Sequence, residues 1–337
     1  MSGDRLVDGY ALVVFDLDGV IYLIDQPIPG AVETVARLHG EGRAVAYATN
    51  NASRRAADVA DLLTGMGVPA RPEEVLTSAG AAAQLLGERL PAGAPVLVVG
   101  ADALRSEIRE AGLTPVATAD EAPVAVIQGY GPQVGWADLA EAAVAVRAGA
   151  TWVATNTDRT LPSGRGPLPG NGALVAALAT ALGRDPDEIV GKPAPELFAT
   201  AARRADGGRT VVVGDRLDTD IEGANRAGLD SLLVLTGVSD AAELLAAPTE
   251  RRPTYVSWDL TGLFDPGGVV RVPAADAGHG DWQVTTGADD WQLSGSGDAL
   301  DALAALCAVA WHRHPSGPVR PASPEAGKAL EKLGLAT

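Results

Sequence analysis

Two aspartates, Asp16 and Asp18, lie two positions apart directly after the apolar run 11–15. An apolar run of this length that ends near Gly19 predicts a buried strand of a parallel sheet, with both carboxylates at its carboxyl end. In open α/β sheets, that edge is where ligands bind. Because two neighbouring carboxylates repel each other, such a pair requires a cation or a shared proton. The pattern therefore predicts a site that holds a metal ion or transfers protons.

Three further segments place polar residues at the end of a predicted strand or at the start of a predicted helix. They are Thr49-Asn50-Asn51, Gly191-Lys192-Pro193 and the run 214–220, which contains Asp215 and Asp220. Each segment alone has a simpler interpretation, since carboxylates and Thr-Asn turns commonly cap helices and a single lysine commonly lies on the surface. The four segments together, in this order, indicate one chemical site.

The elements that would position these residues alternate between short apolar runs and alanine-rich helical segments, which predicts a parallel α/β architecture. The predicted strands cover residues 11–15, 43–48, 96–99, 124–127, 151–154, 210–213 and 232–235. The predicted helices include residues 30–38, 53–65, 173–181 and 195–203. Three of the predicted strands end directly at the polar segments.

In their order and spacing, the four segments resemble the motifs of the haloacid dehalogenase (HAD) superfamily of phosphohydrolases, and especially its NagD-like and 4-nitrophenylphosphatase-like subfamily. The resemblance covers about residues 10–262. It rests on Asp16-Leu17-Asp18-Gly19-Val20, Ile28-Pro29-Gly30-Ala31, Thr49-Asn50-Asn51, Ala154-Thr155-Asn156-Thr157-Asp158, Val190-Gly191-Lys192-Pro193 and the run 214–221. It implies an α/β fold with a Rossmann-like parallel-sheet core and an inserted α/β cap of the C2 type.

The resemblance also implies a phosphatase that uses Mg²⁺ as its cofactor. Asp16 would attack phosphorus and form an aspartyl-phosphate, while Asp18 would protonate the leaving group and then activate water. The implied Mg²⁺ ligands are the side chains of Asp16 and Asp215 and the backbone carbonyl of Asp18. An aspartate at position 18 argues for phosphoryl transfer and against dehalogenation.

The phosphate-binding residues implied by the resemblance are Thr49, the amide of Asn50, and Lys192. Lys192 and the metal ion would supply the positive charge that a phosphate group needs. Asp220 would orient Lys192 or a metal-bound water. These residues complete the set that the motifs assign to the hydrolase core.

The distance along the chain from Thr49 to Lys192 is far longer than one crossover helix needs, which predicts an inserted domain. We expect a hydrolase core at residues 1–82 and 185–263, and a cap at 83–184 that selects the substrate. Within the cap, the candidate substrate residues are Asn156, Asp158, Gly170, Asn171 and Gly172, although ordinary turn chemistry accounts for them equally well. The small residues after 170 suggest a compact leaving group, such as that of glycerol phosphate or phosphoglycolate.

Residues 265–337 change in character and predict a small appended α+β domain. Two tryptophan-centred runs, 282–286 and 291–294, predict an antiparallel hairpin, and residues 299–311 predict an apolar helix. This region resembles a reduced acyltransferase-like fold without a pyrophosphate-binding glycine motif, so we expect no catalysis there. The glycines of Gly295-Ser296-Gly297 are expected to form a turn.

The composition of the chain limits its expected binding partners and location. The net charge of −17 excludes nucleic acid as an expected partner, because an acidic surface repels its phosphates. A single cysteine, Cys307, and the absence of an export signal predict a cytoplasmic location. No apolar stretch is long enough to predict a membrane span. The expected partner is a small phosphorylated metabolite, and association of copies of the chain through the cap is left open.

The sequence also leaves two alternative functions open. In a phosphotransferase of the same superfamily, a substrate hydroxyl would replace water at the aspartyl-phosphate. In a regulatory protein, the C-terminal region would bind an effector and would be the main functional part. The intact motifs count against a protein whose hydrolase part is inactive. The resemblance of the insert to the NagD-like cap favours a hydrolase over a phosphotransferase, because the mutases of the superfamily carry other cap arrangements.

Overall fold

The computed structural model describes residues 5–161, 164–272, 280–287, 290–313 and 317–336. The strands are β1 (Leu12–Phe15), β2 (Tyr22–Leu23), β3 (Gln26–Pro27), β4 (Ala44–Thr49), β5 (Val75–Thr77), β6 (Pro95–Val99), β7 (Thr114–Val116), β8 (Ala125–Gln128), β9 (Thr151–Ala154), β10 (Thr160–Leu161), β11 (Leu168–Pro169), β12 (Glu188–Ile189), β13 (Thr210–Gly214), β14 (Asp230–Val234), β15 (Tyr255–Ser257), β16 (Val269–Arg271), β17 (Gln283–Thr286), β18 (Trp291–Ser294) and β19 (Val319–Pro321). The helices are α1 (Ala31–Gly40), α2 (Ala56–Gly65), α3 (Ser78–Arg89), α4 (Asp102–Glu110), α5 (Trp136–Arg147), α6 (Asn171–Leu182), α7 (Glu196–Ala202), α8 (Glu222–Arg226), α9 (Ala241–Leu245), α10 (Ala299–Arg313) and α11 (Pro324–Lys332). Within the described ranges, no helix is both long and apolar enough to cross a membrane.

The strands predicted from sequence all form, with ends shifted by no more than two residues. The largest difference among the predicted helices is at α2, which begins at Ala56 and not at residue 53. The side-chain Oδ1 of Asn51 accepts hydrogen bonds from the backbone N and the Oγ of Ser53, at 2.8 and 2.9 Å. This side-chain turn occupies the place of the first predicted helical turn, because Asn can satisfy backbone N–H groups outside a helix.

Two compact units divide the chain. The first unit comprises Met1–Leu23, Pro27–Val45 and Ala205–Thr337, and the second comprises Ile24–Gln26 and Ala46–Arg204. These divisions differ from the predicted boundary at 82/83, which falls inside α3. Residues on both sides of that boundary pack together, since Ala79 and Leu86 share one hydrophobic core with Leu104 and Ile108.

The first unit contains a sheet built on the strands that precede the predicted carboxylates. Its order is β16-β15-β14-β13-β1, and neighbouring strands are parallel except for the antiparallel pair β15 and β16. Strands β1 and β13 are rich in valine and fully buried, as expected for strands covered on both faces. Phe15 pairs with Val213, so the carboxyl ends of β1 and β13 lie side by side.

The C-terminal residues belong to the first unit and share its core. Strand β17 is antiparallel to β18, which confirms the predicted hairpin, and β18 is parallel to β19. Leu303 and Leu306 of α10 are fully buried in the same hydrophobic core as Ile221 and Leu233. Ile221 lies in the turn after β13, and Leu233 lies in β14. Cys307 is also buried there. The C-terminal helices therefore complete a core that the parallel sheet begins.

The second unit contains a five-stranded parallel sheet with helices on both faces. Its order is β12-β9-β8-β6-β7. Alternate residues of the strands face opposite sides, so Val98 and Ile127 pack with α3 and α4, while Val126 and Trp152 pack with α5 and α6. Strand β4 is parallel to β5, and Thr49 pairs with Thr77 at the carboxyl ends of the two strands.

Candidate active site

Three buried carboxylates come together in the first unit. Asp16 follows β1, Asp215 follows β13, and Asp220 lies in the helical turn Leu217–Ile221. One carboxylate oxygen from each lies within 4.8 Å of the others. Asp16 is 8% exposed, and Asp215 and Asp220 are fully buried. This geometry brings together residues from two of the segments that the sequence analysis assigned to one site.

The turn and the loop around Asp215 leave no room for side chains. A Cβ at Gly19, which has a φ of +83°, would overlap the carboxylate of Asp215, and so would a Cβ at Gly237. A Cβ at Gly214 would overlap the side chain of Asp220. Backbone therefore surrounds these carboxylates closely, and only glycine permits that approach.

Backbone N–H groups hold two of the carboxylates. Val238 N donates to Asp215 Oδ2 at 2.8 Å, and Ser239 N donates to the carbonyl oxygen of Asp215 at 3.0 Å. Arg216 N donates to Asp220 Oδ2 at 3.2 Å. These bonds fix the orientation of both side chains.

The chemistry of this cluster fits a hard divalent cation. Three carboxylates at such short separations repel one another strongly, and burial increases the repulsion. A cation with a preference for oxygen ligands, such as Mg²⁺ or Ca²⁺, offsets that charge and finds only oxygen donors in this set. Asp220, which the sequence analysis assigned a supporting role, therefore joins Asp16 and Asp215 as a candidate metal ligand.

Asp18 lies beyond the buried cluster, at the start of a tight turn. It is partly exposed, whereas Asp16 is buried. Gly19 N donates to Tyr22 O at 2.8 Å, and the carbonyl of Leu17 accepts from Ile21 N at 2.9 Å. The turn reverses the chain directly after Asp18, and the positive φ of Gly19 makes this reversal possible.

The second unit contains Thr49, Asn50 and Lys192. Thr49 is the last residue of β4 and is buried, and its Oγ1 accepts from Asn51 N at 3.1 Å. Lys192 is 3% exposed, so it is not the solvated surface lysine that an isolated lysine would predict. Its Nζ donates to Ala48 O at 3.2 Å. Burial of an ammonium group needs such hydrogen bonds to compensate for lost hydration.

The side-chain amide of Asn50 bonds to the backbone of Lys192, a role that the sequence analysis missed. Asn50 Oδ1 accepts from Lys192 N at 2.8 Å, and Asn50 Nδ2 donates to Lys192 O at 3.1 Å. From sequence, only the backbone amide of Asn50 was expected to have a function. No local signal could reveal the partner, because the two residues lie far apart in sequence.

The five candidate cap residues form hydrogen bonds and close backbone packing within the second unit. Asn171 Nδ2 donates to Asn156 O at 2.7 Å, and Gly172 N donates to Asp158 O at 2.8 Å. A Cβ at Gly170 or Gly172 would overlap the backbone of the loop that contains Asp158. Through these contacts, Gly170, Asn171 and Gly172 pack the start of α6 against the loop that contains Asp158. Asn156 and Asp158 both bond to Asn50.

The loop that holds Asp215 was also missed from the sequence. Thr236 Oγ1 donates to Gly19 O at 2.7 Å, and the following residues, Gly237 and Val238, contact Asp215. The available signal was a Thr-Gly pair directly after the predicted strand 232–235. A glycine just after a parallel strand is typical of loops that approach a ligand or another backbone closely.

Three family models match the chain. A model of haloacid dehalogenase-like hydrolases matches residues 13–114, and a second HAD-like hydrolase model matches 189–263. A model of GCN5-related N-acetyltransferase-like domains matches residues 279–335. The last match confirms the acyltransferase-like resemblance of the C-terminal region.

Phosphatases are among the similar proteins and solved structures. The D-glycerol 3-phosphate phosphatase of Mycobacterium tuberculosis is 45% identical over 329 residues, which span 96% of this chain and 92% of that protein. A crystal structure of glycerol phosphate phosphatase from the same organism, in complex with magnesium, has a TM-score of 0.90 at 44% identity and covers 98% of this chain and 99% of that chain. The 4-nitrophenylphosphatase of Thermotoga maritima has a TM-score of 0.71 at 31% identity and covers 77% and 98%. These structures confirm the predicted fold class.

Proposed function

This chain belongs to the haloacid dehalogenase-like hydrolases, and from that membership we propose that it is a Mg²⁺-dependent phosphatase of small phosphomonoesters. The observation that carries the proposal is the buried cluster of Asp16, Asp215 and Asp220, with one oxygen of each within 4.8 Å of the others. Their position at the carboxyl ends of β1 and β13 is where open α/β sheets bind ligands.

The proposed reaction has two steps. An Oδ atom of Asp16 attacks phosphorus, and the bond from phosphorus to the leaving oxygen breaks as Asp18 donates its proton to that oxygen. In the second step, Asp18 takes a proton from water, which attacks phosphorus and releases inorganic phosphate from Asp16. Asp18 is partly exposed, which supports its exchange of protons with substrate and water.

The remaining residues bind the metal ion and the phosphate. Asp16, Asp215 and the backbone carbonyl of Asp18 are proposed Mg²⁺ ligands, and Asp220 either ligates the ion or orients a water bound to it. When bound, Mg²⁺ neutralises negative charge and polarises the phosphoryl oxygens. Thr49, Asn50 and Lys192 donate hydrogen bonds to the phosphate oxygens, with Lys192 supplying positive charge. Lys192 is buried beside Ala48, so its ammonium group starts with little hydration to lose.

Glycerol 3-phosphate is the proposed substrate. The similarity to the D-glycerol 3-phosphate phosphatase of M. tuberculosis extends over 96% of this chain, including the C-terminal region. The acidic chain disfavours a polyanionic substrate, which also supports a small monoester.

The division of labour along the chain is part of the same proposal. Residues 1–82 and 185–263 would carry the hydrolytic residues, 83–184 would select the leaving group, and 265–337 would form an appended part. We further propose a cytoplasmic location, supported by the single buried cysteine, and association of copies through residues 83–184.

The test is phosphate release from a panel of small phosphomonoesters with and without Mg²⁺. The panel contains glycerol 3-phosphate, phosphoglycolate and 4-nitrophenyl phosphate, and the variant Asp16→Asn is compared with the exposed-site control Asp102→Asn. Hydrolysis is expected to require Mg²⁺, to be lost in Asp16→Asn and to persist in the control. No release of phosphate by the wild-type protein from any of these esters would refute the function.

The role of Asp18 has its own signature. Asp18→Asn is expected to lower kcat for glycerol 3-phosphate by about 10²–10⁴-fold, the usual range for general acid–base catalysis. The loss should be much smaller in the first step with 4-nitrophenyl phosphate, because 4-nitrophenolate leaves without protonation. Adding an alcohol acceptor and analysing the products separates hydrolysis from the alternative phosphotransferase. Equal first-step losses for both substrates would contradict the acid role.

A further inference from the structure

The side-chain amide of Asn50 bonds to both backbone groups of Lys192 and is itself held by the loop after β9. We propose that Asn50 is the positioning residue of Lys192, and that Asn156 and Asp158 hold Asn50 in place. The inference rests on the proposed function, since Lys192 matters there as a ligand of the substrate phosphate. It assigns Asn156 and Asp158 a different task from the substrate contact expected from sequence.

The pairing between Asn50 and Lys192 has two points of attachment. Asn50 Oδ1 accepts from Lys192 N at 2.8 Å, and Asn50 Nδ2 donates to Lys192 O at 3.1 Å. A Cβ at Gly191 would lie only 2.6 Å from Asn50 Oδ1, so glycine at that position allows the amide to approach. Because both backbone groups of Lys192 bond to one side chain, its Cα cannot shift without breaking a hydrogen bond.

The loop after β9 holds Asn50 from two directions. Asn50 Nδ2 also lies 3.1 Å from each carboxylate oxygen of Asp158. Asn156 Nδ2 donates to the backbone carbonyl of Asn50 at 2.6 Å, and Ser78 Oγ donates to the same carbonyl at 2.7 Å. A hydrogen bond to a carboxylate is stronger than one between neutral groups, so Asp158 orients the amide of Asn50.

The loop itself is anchored to α6. Asn171 Nδ2 donates to Asn156 O at 2.7 Å, and Asn171 is 1% exposed. Gly172 N donates to Asp158 O at 2.8 Å. A continuous series of hydrogen bonds therefore runs from α6 through this loop and Asn50 to Lys192, and it lies entirely within the second unit.

An amide at position 50 does what a carboxylate of the same size cannot. Asn supplies an acceptor for Lys192 N and donors for Lys192 O and Asp158, whereas Asp would supply acceptors only. Asn50→Asp would also place two carboxylates together, which repel each other in a partly buried environment. This isosteric change therefore alters the hydrogen bonding and the charge at position 50 and leaves the packing volume unchanged.

The first test compares Asn50→Asp, Asp158→Asn and the double variant with the exposed-site control Asp185→Asn. Asn50→Asp is expected to lower kcat/KM for 4-nitrophenyl phosphate by roughly tenfold to a hundredfold, the effect of losing a hydrogen bond to a charged group. The double variant regains a donor opposite the new carboxylate and should recover part of this loss. A double variant no better than Asn50→Asp would overturn the proposal.

The second test separates positioning from substrate contact. Asp158→Asn is assayed with 4-nitrophenyl phosphate and glycerol 3-phosphate, and inorganic phosphate is measured as a competitive inhibitor. Positioning through Lys192 predicts the same fold loss in all three, because phosphate is the group that they share. A loss confined to one substrate would overturn the proposal and indicate a contact with the leaving group.

Calorimetric titration of inorganic phosphate in the presence of Mg²⁺ keeps the proposal separate from the proposed function. A wild-type protein that binds phosphate but hydrolyses neither ester would refute the phosphatase function, and the variants' phosphate affinities would still decide the positioning role. Equal phosphate affinity in wild type and Asn50→Asp would overturn the positioning role of Asn50. Thermal melting of the full chain identifies any unfolded variant. If Asn50→Asp does not fold, the phosphate affinity of Asp158→Asn, which keeps an acceptor at position 158, is compared with that of wild type instead.

Discussion

Val238 donates its backbone N–H to Asp215 Oδ2, with 2.8 Å between the nitrogen and the oxygen. The loop that contains Val238 comes after β14, whereas Asp215 comes after β13, so two neighbouring strand ends combine to orient one carboxylate. Gly237 makes the approach possible, because a Cβ there would overlap Asp215 Oδ2. The orientation of a proposed metal ligand thus depends on a residue that has no functional group of its own.

Gly237→Ala tests that dependence. The added methyl group must displace either the loop or the carboxylate, so Mg²⁺ binding is expected to weaken by roughly 10- to 100-fold, as for other changes to groups that orient metal ligands. The measurement is the Mg²⁺ concentration at half-maximal phosphatase activity, together with direct calorimetric titration of Mg²⁺. Gly40→Ala is the matched control, because a Cβ at Gly40 would meet nothing within 4 Å. An unchanged Mg²⁺ affinity in Gly237→Ala would contradict the role of this loop.

The shared core of the first unit predicts that the C-terminal helices unfold together with the parallel sheet. Leu303 of α10 is fully buried, so Leu303→Ala is expected to cost about 2–5 kcal/mol of stability. Because Ile221 and Leu233 lie in the same core, differential scanning calorimetry should show this loss in the transition that also abolishes activity. Lys328→Ala, at an exposed position of α11, is the control. A separate, earlier transition with activity retained would show independent folding of the C-terminal residues.

Glu107 predicts a pH-dependent stability. Burial raises the pKa of its carboxyl group, the neighbouring Glu110 raises the pKa further, and Arg55 opposes both effects. A carboxyl group whose pKa is higher in the folded state costs stability once pH rises above its unfolded pKa, near 4.3. Glu107→Gln should therefore melt at a higher temperature than wild type at pH 7 to 8, and the difference should vanish as pH falls below about 4.

The control for this prediction is Asp61→Asn, at an exposed position of α2. Its melting temperature should follow that of wild type across the same pH range. If Glu107→Gln melted below wild type at pH 8, its carboxylate would be contributing favourable interactions that exceed the cost of burial.

The contacts of Gly297 and Asp298 predict that coenzyme A does not bind at this part of the C-terminal region. A Cβ at Gly297 would lie 3.2 Å from Trp282 Nε1, which donates to Asp298 O at 2.9 Å. Asp298 Oδ1 accepts from Leu300 N at 2.7 Å, so a carboxylate caps the start of α10. Negative charge at a helix N-terminus opposes the binding of a phosphate group there.

Thermal-shift measurements with coenzyme A and acetyl-coenzyme A check this prediction. Neither compound is expected to raise the melting temperature, whereas Mg²⁺ should raise it by binding the folded state. Acetyl transfer to an amine acceptor should likewise be absent. Stabilisation of the folded state by coenzyme A would contradict this prediction.

The sequence could predict the strands and the residues at their ends, because both are local properties of the chain. Asp16 and Asp215 follow valine-rich runs directly, and parallel pairing then brings the ends of those runs together. The inward position of Asp220 could not be derived in this way, since it depends on the path of the turn Leu217–Ile221 after the strand. Its distance from the other two carboxylates is a tertiary property.

The residues that orient others could not be predicted for the same reason. Asn50 bonds to Lys192 across 142 positions and to Asp158 across 108 positions. Local patterns predict helix caps and turns for Asn and Asp, and these residue types form such turns very commonly. Only the folded chain distinguishes an asparagine that closes a turn from one that holds a distant backbone in place.

The backbone of three glycines, Gly19, Gly214 and Gly237, packs directly against the carboxylates of Asp215 and Asp220. A side chain at any of these positions would collide with the carboxylates, so substitution of these glycines is not tolerated. New substrate preferences must then arise at residues outside this backbone cradle. The glycines around the proposed site of phosphorus chemistry therefore cannot change in sequence. Residues elsewhere in the molecule remain free to diverge.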